Sequence, residues 1–297
     1  MKANAFRPIH SLAVLTLLLA PTVTYAMSGM ETPTGGQVNA TTSLSQSMGE
    51  PINSSESEIE MTYSVDGKTA VFVSGRQGSI PSPGVPYNFD IWMSHNMNGT
   101  WQAPIHLGPG IDPTVGPNIN TSAWELEPSL SDDGNVIYFT RYEPGNLSTG
   151  DLYVTKKING VWQKPQSLGP RINSPYRDHM HWTGLSKYGK SLIITSTRPD
   201  MGSRGGHDMW ISYQNPKGEW QEPLNLGDTI NTAGEDMCWA FSPDGKTFSG
   251  GSGPRDSYNH DILWVHKDNV PLLKNFEPIG PPPNLLTNSK MTPSATK

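Results

Sequence analysis

The stretch ELEPSLSDDGNVIYFTR at residues 125–141, followed by GDLYV at 150–154, is written four times along the chain in modified form. The other copies begin with EIEMTYSVDGK at Glu58, HMHWTGLSKYGK at His179 and DMCWAFSPDGK at Asp236. Alignment on a Ser-x-x-Gly turn brings four glycines into register at intervals of 67, 55 and 56 residues: Gly67, Gly134, Gly189 and Gly245. A repeat of this length with several short strands predicts a propeller blade or a solenoid unit.

Each repeat divides into four predicted strands. The first leads into the glycine turn, and the second is the apolar run after it, such as TAVFVS at 69–74. The third follows a repeated Asp, and the fourth begins at the Trp of a Trp-Gln-x-Pro segment, as at Trp162. Asp-Gly and Asn-Gly pairs favour tight hairpins because glycine accepts positive φ. Four antiparallel strands in each unit predict an all-β fold, a β-propeller of four-stranded blades.

The number of blades follows from the number of repeats. Four full units predict four blades, and a fifth blade assembled from the two ends of the chain is the alternative. The segment Leu44–Ser54 resembles the end of a repeat without its beginning. An N-terminal strand that completes the C-terminal blade would leave no exposed sheet edge there.

Three sequence motifs resemble those of a known family: Ser-x-Asp-Gly-Lys at 64–68, Phe-x-Ser-x-Arg at 72–76 and Asp-Ile-Trp at 90–92. The pattern resembles the WD-like propeller repeats of the TolB type, and the resemblance extends from about Glu58 to Gly280. It implies a propeller in the envelope of a Gram-negative bacterium. Because the family is a scaffold, the resemblance implies a fold and a binding role more than a chemistry.

The two ends of the chain lie outside the predicted propeller. Lys2 and Arg7 precede an apolar run that ends in small residues at Thr24 and Ala26, the layout of a cleaved secretory signal. We therefore expect a signal peptide at 1–26, a disordered segment at 27–42, one propeller domain at 43–284 and a disordered tail at 285–297. No membrane span is expected after signal cleavage, so the predicted location is the periplasm or the exterior of the cell.

Charge and cysteine content limit the partners. The net charge is −6 and no Lys/Arg run occurs, so nucleic acid is not an expected partner. The expected partners are an envelope protein, a glycan or a small molecule. Cys238 is the one cysteine of the sequence, so no internal disulfide is available and packing must stabilise the fold.

Two sets of repeated residues are predicted to build the blades. An Arg after the second strand and an Asp before the third recur in every unit, which predicts an ion pair inside each blade; the residues are Arg76, Arg141, Arg198 and Arg255 with Asp90, Asp151, Asp208 and Asp261. A ring of anion-binding arginines is the alternative. The repeated Trp101, Trp162 and Trp220 are predicted to be packing residues.

The lead-in to the first strand differs between units and carries the candidate site. Residues two apart on a strand face the same side, and the innermost strand of a blade borders the channel. The lead-ins supply four pairs of polar residues: Glu58 and Glu60, Glu125 and Glu127, His179 and His181, Asp236 and Cys238. Asp178 and Glu235 stand just before two of these pairs.

These residue types suit a metal or acid–base chemistry at the channel mouth. Imidazole, thiolate and carboxylate from His179, His181, Cys238 and Asp236 would suit zinc, copper or iron, whereas a ring of carboxylates would suit calcium. For catalysis, Glu60 or Glu127 would act as general base and a histidine, His179 or His181, as acid or metal ligand. The alternative is structural: glutamates that bond loop amides, and an ordinary buried Cys238.

Aromatic residues lie beside the same pairs. Trp124, Trp182 and Trp239, together with Glu58 and Glu125, could form a platform for a sugar ring or a cationic ligand. The alternative is that these rings cover the apolar layer between blades. The resulting hypothesis is a binding propeller that recognises a protein, glycan or small ligand at the channel mouth. The alternative hypothesis is a hydrolase or lyase, metal-dependent or not, that uses the same Glu, His and Cys residues.

Overall fold

The computed structural model describes residues 47–84, 88–108, 119–143, 146, 150–186, 189–199, 202–242, 245–254, 261–274 and 276–278, with the side chains of 180–186, 189, 277 and 278 excepted. All of these residues belong to the compact unit Ser47–Lys297. The predicted signal peptide, the segment 27–42 and the tail 285–297 lie outside the described residues. In the described part of the chain, no helix has the length and apolar character needed to cross a membrane.

The described chain forms four antiparallel sheets, which are the blades of a four-bladed propeller. Blade 1 contains β1 Glu58–Tyr63, β2 Thr69–Ser74, β3 Asp90–Met97, β4 Thr100–Trp101 and β5 Ile105–His106. Blade 2 contains β6 Trp124–Leu130, β7 Val136–Tyr142, β8 Gly150–Ile158, β9 Val161–Trp162 and β10 Gln166–Ser167. Blade 3 contains β11 Asp178–Ser186, β12 Gly189–Ser196, β13 Asp208–Tyr213 and β14 Leu224–Asn225. Blade 4 contains β15 Glu235–Phe241, β16 Thr247–Gly253 and β17 Asp261–His266; a 3-10 turn at Lys267–Asn269 and β18 Glu277–Pro278 follow. The predicted four-bladed, all-β architecture is confirmed.

The hairpin between the first two strands of a blade follows the predicted glycine turn. Gly67 lies at φ 66°, and its backbone N–H donates to the Ser64 carbonyl at 2.9 Å. Gly134 repeats the same geometry at φ 68° with Ser131. Only glycine adopts this left-handed conformation readily, so the turn residue determines where β1 and β6 reverse into their neighbours.

Apolar residues on alternating strand positions fill the spaces between blades. In β12 the side chain of Ile193 joins a cluster shared with blade 4, whereas Leu192 and Ile194 join a cluster shared with blade 2. A third cluster joins blades 1 and 2 around Phe139 and Trp162. Trp162 and Trp220 are buried, as predicted for packing residues. Because β12 is buried on both faces, it reads as a continuous apolar run in the sequence.

The segments that link one blade to the next share a pair of asparagine side-chain hydrogen bonds. The side-chain amide of Asn120 accepts from the backbone N–H of Ile91 at 2.9 Å and donates to its carbonyl at 2.8 Å. Asn173 and Asn231 hold Leu152 and Met209 in the same way at the next two junctions. Each asparagine therefore fixes the chain entering one blade to the third strand of the blade before it.

The repeated arginines have a different partner from the predicted one. Arg76 pairs with Glu58 at 3.1 Å and Arg198 with Asp178 at 2.8 Å, and neither pairs with the Asp that begins the third strand. Arg141 pairs likewise with Glu125 at 2.7 Å. The reason lies in the register of the first hairpin, which places Glu58 opposite Ser74, two residues before Arg76. Arg255 lies outside the described residues.

Blade 4 differs from the others at its outer edge. Strands β3, β8 and β13 are each covered by a further strand, whereas β17 pairs with β16 alone among the described strands. Its Ile262 is 62 % exposed and its Trp264 is 72 % exposed. Of the segment expected to complete this blade, residues 44–46 lie outside the described residues, and Ile52 packs against Phe72 and Trp92 of blade 1. The chain after β17 returns instead to blade 3, where β18 pairs with β11.

Candidate functional site

Carboxylates at one position in each innermost strand hold the loop before that strand. We call these residues, Glu58, Glu125, Asp178 and Asp236, the loop anchors. Each accepts a hydrogen bond from the backbone N–H of the Ser or Thr four residues earlier, at 2.6 to 3.1 Å. Each also bonds the hydroxyl of that residue. Because four blades repeat this arrangement, the loop anchors belong to the construction of the blade.

The arginine beside a loop anchor extends the same network. Arg198 donates to Asp178 at 2.8 Å and to the carbonyl of Ile172 at 2.6 Å. Arg141 donates to Glu125 at 2.7 Å and to the carbonyl of Ile119 at 2.7 Å. Burial raises the pKa of Glu125 to about 7, against the opposing effects of the Arg141 charge and the Thr121 hydrogen bonds. Both oxygens of such a carboxylate are engaged, so little capacity is left for an external ligand.

In blades 1, 2 and 4 the innermost strand has a β-bulge two residues after its loop anchor. The register shifts between Ile59 and Thr62, between Leu126 and Ser129, and between Met237 and Ala240. The residues at these shifts are Glu60, Glu127 and Cys238, and each has a φ of 56°. A side chain in this left-handed conformation costs about 1–2 kcal/mol. Strain of this kind persists where the surrounding structure imposes it, and bulges re-aim side chains near functional sites.

Blade 3 places its bulge one residue further along. The register of β11 shifts between Met180 and Trp182, so His181 is the extra residue, and its side chain lies outside the described set. Asp178, and not His179, occupies the loop-anchor position in this blade, because it pairs with Ser196 as Glu58 pairs with Ser74. The predicted alignment of His179 with Glu58 is therefore wrong by one residue.

The bulges bring side chains from all four blades together at the centre of the ring. We call this group the central cluster: Glu60, Glu127, Tyr142, His179, His207, Glu235 and Cys238. Strand β6 lies against β1 on one side and β11 on the other, and β15 lies against β11. Bonds within the cluster cross from blade 1 to blade 2 and from blade 2 to blade 3. The tertiary structure therefore assembles it from residues far apart in sequence.

Glu60 and Glu127 are linked directly across two blades. The backbone N–H of Glu127 donates to Glu60 Oε2 at 2.6 Å. Burial, followed by the nearby charge of Glu127, raises the pKa of Glu60 to about 8. The residue as a whole is nevertheless exposed to water. Glu60 therefore holds a proton near neutral pH and can donate a hydrogen bond.

Glu127 accepts hydrogen bonds from three side chains. Thr140 Oγ1 donates at 2.6 Å, the Tyr142 hydroxyl at 3.2 Å, and His179 Nδ1 lies 2.7 Å from Glu127 Oε1. The Tyr142 hydroxyl is also 2.5 Å from His179 Nδ1. Burial, followed by the Glu127 charge, raises the pKa of Tyr142 well above its ordinary range. Tyr142 therefore keeps its proton, which it donates to Glu127, and its hydroxyl oxygen can accept from the His179 Nδ1–H.

A second histidine–carboxylate pair lies beside the first. His207 Nδ1 bonds Glu235 Oε2, and the backbone N–H of His207 donates to the same oxygen at 2.9 Å. A Cβ at Gly206 would collide with the Glu235 carboxylate, so the absence of a side chain there permits the close approach. Burial, followed by the nearby His179, lowers the pKa of His207 to about 4. The imidazole of His207 is therefore neutral at physiological pH.

Both histidines have a second ring nitrogen without a hydrogen-bond partner among the described residues. His179 is 8 % exposed and His207 is 6 % exposed, and the Nε2 atoms of both are buried. The ring centroids are 5.3 Å apart with planes at 71°. A buried polar atom without a partner is uncommon in a native protein and calls for an explanation.

Cys238 completes the cluster from blade 4. Burial, followed by the charges of Glu127 and Glu60, raises the pKa of its thiol to about 11. The residue is nevertheless exposed to water, which places it at the accessible end of the cluster. It therefore stays a neutral thiol at pH 7 and is a weak nucleophile in this state.

The structure separates the predicted site residues into two groups. Glu60, Glu127, His179 and Cys238 come together, whereas Glu58, Glu125 and Asp236 serve as loop anchors. Within the described residues, no group of three or more His, Cys, Asp or Glu side chains is placed to hold a metal ion. The side chain of His181, which was also predicted as a ligand, lies outside the described residues.

The predicted aromatic platform has a different placement. Trp124 is buried and meets Phe89 edge to face at 6.1 Å between centroids. Trp239 is buried against Phe248 at 5.1 Å. Both rings cover apolar layers between strands, which is the structural alternative stated above. The side chain of Trp182 lies outside the described residues.

Tyr142 and His207 were not predicted as site residues, and Glu235 was noted only as standing beside one of the polar pairs. Tyr142 ends the second strand of blade 2, His207 precedes the repeated Asp208, and Glu235 precedes the loop anchor Asp236. A signal existed for His207, because Phe89 stands at the matching position of blade 1. A polar residue that replaces an apolar one at a repeat position indicates a local role beyond packing.

Comparison with known proteins finds only distant structural similarity. No family model and no curated protein matches the chain. TolB from Acinetobacter baumannii is 17 % identical over 76 % of this chain and 44 % of its own, with a TM-score of 0.43. A puromycin-hydrolysing peptidase of Mycobacterium tuberculosis is 14 % identical over 76 % of this chain and 31 % of its own, also at 0.43. A Hadza microbial sialidase is 10 % identical over 70 % of this chain and 44 % of its own, at 0.43.

The chain spans less than half the length of each of these three structures. At such identities the likeness is one of fold alone. The matched structures include TolB proteins and peptidases.

Proposed function

We propose that the protein is a secreted or periplasmic binding propeller that takes a small, hydroxyl-bearing ligand such as a glycan unit at the centre of its ring. The observation that carries the proposal is the set of bulges that places Glu60, Glu127 and Cys238 in one strained conformation at the ring centre. Three positive-φ residues at one repeat position imply a common demand on their side chains. A loop or hairpin role would not require a polar side chain at all three positions.

The mixture of groups favours a polar and largely neutral ligand. Glu60 holds a proton near pH 7, Cys238 is a thiol, and His207 is neutral. Neutral groups therefore lie in one cluster with the Glu127 and Glu235 carboxylates, which accept hydrogen bonds. Hydroxyl groups match such a site because each one can both donate and accept a hydrogen bond.

A second candidate is an enzyme that acts on the same ligand class. Glu60 retains a proton at neutral pH, as a general acid requires, and Glu127 is held beside it as a base. A pair of carboxyl groups in one site is the usual arrangement for hydrolysis of a glycosidic bond. An enzyme of this kind would lose activity as the pH rises through about 8, where Glu60 loses its proton.

One experiment separates these candidates. The protein is mixed with a panel of mono- and disaccharides and their 4-nitrophenyl glycosides, and both thermal stability and 4-nitrophenol release are followed. Binding raises the melting temperature, since a ligand at 100 times its Kd contributes about 2.7 kcal/mol to stability. We expect the shift to be lost in Glu60→Ala and Glu127→Gln and kept in Glu219→Gln, which alters an exposed carboxylate of blade 3.

The two readouts assign the outcome. A thermal shift with the sugar recovered unchanged supports the binding propeller, and release of 4-nitrophenol that Glu60→Ala abolishes supports the enzyme. If no sugar stabilises the protein more than it stabilises Glu127→Gln, the ligand class proposed here is incorrect.

A further inference from the structure

Each of the two histidines of the central cluster has its Nδ1 bonded to a carboxylate, and His179 Nδ1 also lies 2.5 Å from the Tyr142 hydroxyl. His179 Nδ1 bonds the Glu127 carboxylate and His207 Nδ1 bonds the Glu235 carboxylate. A carboxylate accepts hydrogen bonds, so when either ring is neutral its proton lies on Nδ1. The Nε2 atom of each ring then carries a lone pair, and both rings present an acceptor of the same kind.

Those two acceptors are buried without a partner in the described part of the chain. His179 and His207 are more than nine-tenths buried, and neither Nε2 receives a hydrogen bond there. An unsatisfied buried acceptor costs about 1–3 kcal/mol, and two of them lie in adjacent rings. A bound group that accepts electron density from both nitrogens would remove this penalty.

The distance between the rings suits one shared ion. Two imidazoles that bind a tetrahedral ion at bonds of about 2.0–2.1 Å have ring centroids about 5 Å apart. The centroids of His179 and His207 are 5.3 Å apart.

We propose that His179 and His207 bind one divalent transition-metal ion through their Nε2 atoms, with Glu127 and Glu235 fixing the two rings. A histidine ligand that donates its other N–H to a carboxylate is the usual outer arrangement of a metal centre. Imidazole nitrogen suits zinc, cobalt, nickel and copper, and it disfavours calcium and magnesium, which take oxygen ligands. This ligand set differs from the one that the lead-in sequences predicted, because it contains His207 and excludes Asp236.

The remaining coordination positions belong to water or to an added ligand. No third side chain of the described residues joins the two histidines in a metal-binding group. Cys238 is held as a thiol by the charges around it and would have to lose its proton to coordinate. A site with two protein ligands and open positions binds its ion exchangeably, at lower affinity than a closed structural site.

The test uses the metal alone. The full chain is treated with chelator, dialysed and titrated with Co²⁺, while visible absorption reports nitrogen coordination and calorimetry reports the stoichiometry. We expect one Co²⁺ per chain, displaced by Zn²⁺. Glu235→Gln should weaken affinity by about 10–100-fold, as loss of a carboxylate behind a histidine ligand does. His207→Ala should weaken it further, because a ligand itself is lost.

His266→Ala provides the matched control, since it removes a half-exposed histidine on β17 away from the cluster. Its affinity for Co²⁺ should equal that of the unaltered protein. Circular dichroism checks the fold of every variant. If His207→Ala does not fold, the Co²⁺ affinity of Glu235→Gln tests the proposal alone.

Two results would overturn the proposal: no saturable Co²⁺ absorption in the unaltered protein, or binding that Glu235→Gln and His207→Ala leave unchanged. A water molecule bridging the two Nε2 atoms would account for the first result. The inference does not rest on the proposed function, and the sugar panel can be repeated in the presence of chelator. The two proposals can therefore fail separately.

Discussion

Glu125 and Glu127 stand two residues apart on β6 and have opposite surroundings. Glu125 is fully buried, bonds Thr121 and Arg141, and has close counterparts in the other three blades. Glu127 lies at a bulge, bonds Tyr142 and His179, and has Glu60 and Cys238 at the matching positions of blades 1 and 4. The first residue builds a blade, and the second faces its neighbours across the ring.

The bulge is what separates the two positions. Side chains two apart on a regular strand share one face, so an unbroken strand would place Glu125 and Glu127 side by side. The extra residue and the left-handed φ at Glu127 turn its side chain away from the loop and toward the next blade. Two glutamates that stand two residues apart on one strand can therefore have different roles when a strained bulge lies at the second of them.

The largest decrease in the free energy of unfolding should come from removing a loop anchor. Asp178→Ala leaves Arg198, which is 3 % exposed, as a buried charge without its carboxylate. Breaking a buried pair in this way costs about 3–5 kcal/mol. Urea unfolding measures the loss, with Cys238→Ala as the matched change in the central cluster, expected to cost about 1 kcal/mol or less. Equal losses in the two variants would contradict the division into anchors and central residues.

Opposite pH dependence should distinguish the glutamates of β1. Burial and the Glu127 charge raise the pKa of Glu60 from 4.5 to about 8, so its contribution to stability is present below pH 4.5 and is lost as the pH rises to about 8. Burial also opposes ionisation of Glu58, but the hydrogen bonds from Ser54 and Ser74 and the Arg76 charge outweigh it and lower its pKa. Its contribution is present above pH 4.5 and is lost at more acidic pH.

Melting temperatures between pH 3 and pH 9 test whether Glu58 and Glu60 change stability in opposite directions with pH. Glu60→Gln should flatten the decline on the alkaline side, because Gln resembles the protonated acid. Glu58→Gln should flatten the decline on the acidic side. Parallel curves for Glu60→Gln and the unaltered protein between pH 5 and pH 8 would show that Glu60 ionises normally.

The smallest change in stability should come from a glycine at the bulge of blade 4, where the backbone is left-handed. Cys238→Gly removes a side chain from a φ of 56° and should be neutral or stabilise the fold by up to about 1 kcal/mol. Met237→Gly, one residue earlier and outside the positive-φ set, should destabilise it. Urea midpoints compare the two variants. A loss for Cys238→Gly as large as that for Met237→Gly would mean that the bulge is not strained.

The fold was predictable because its signals are local and repeated. The Asp-Gly turns, the alternating apolar runs and the period of the repeat are readable without tertiary knowledge, and the structure confirms four blades. The partner of the repeated arginines was predicted wrongly. Arg198 lies nearer in sequence to Asp208, but strand pairing places Asp178 opposite Ser196 and beside the guanidinium.

The candidate site was predictable only in part. Glu60, Glu127, His179 and Cys238 were found because they break the repeat at corresponding positions. Tyr142, His207 and Glu235 belong to other positions of the repeat, and no spacing rule relates them to Glu127. Their approach depends on how one blade packs against the next.

The sequence by itself determined how each blade is made, since turn chemistry and strand periodicity act over a few residues. It also determined that the lead-in to each blade carries polar residues. Only the tertiary structure decided which of these residues meet, because a one-residue bulge reverses the direction of a side chain and ring packing joins strands more than 50 residues apart. The two histidines at 5.3 Å, each fixed by its own carboxylate, are a product of that packing.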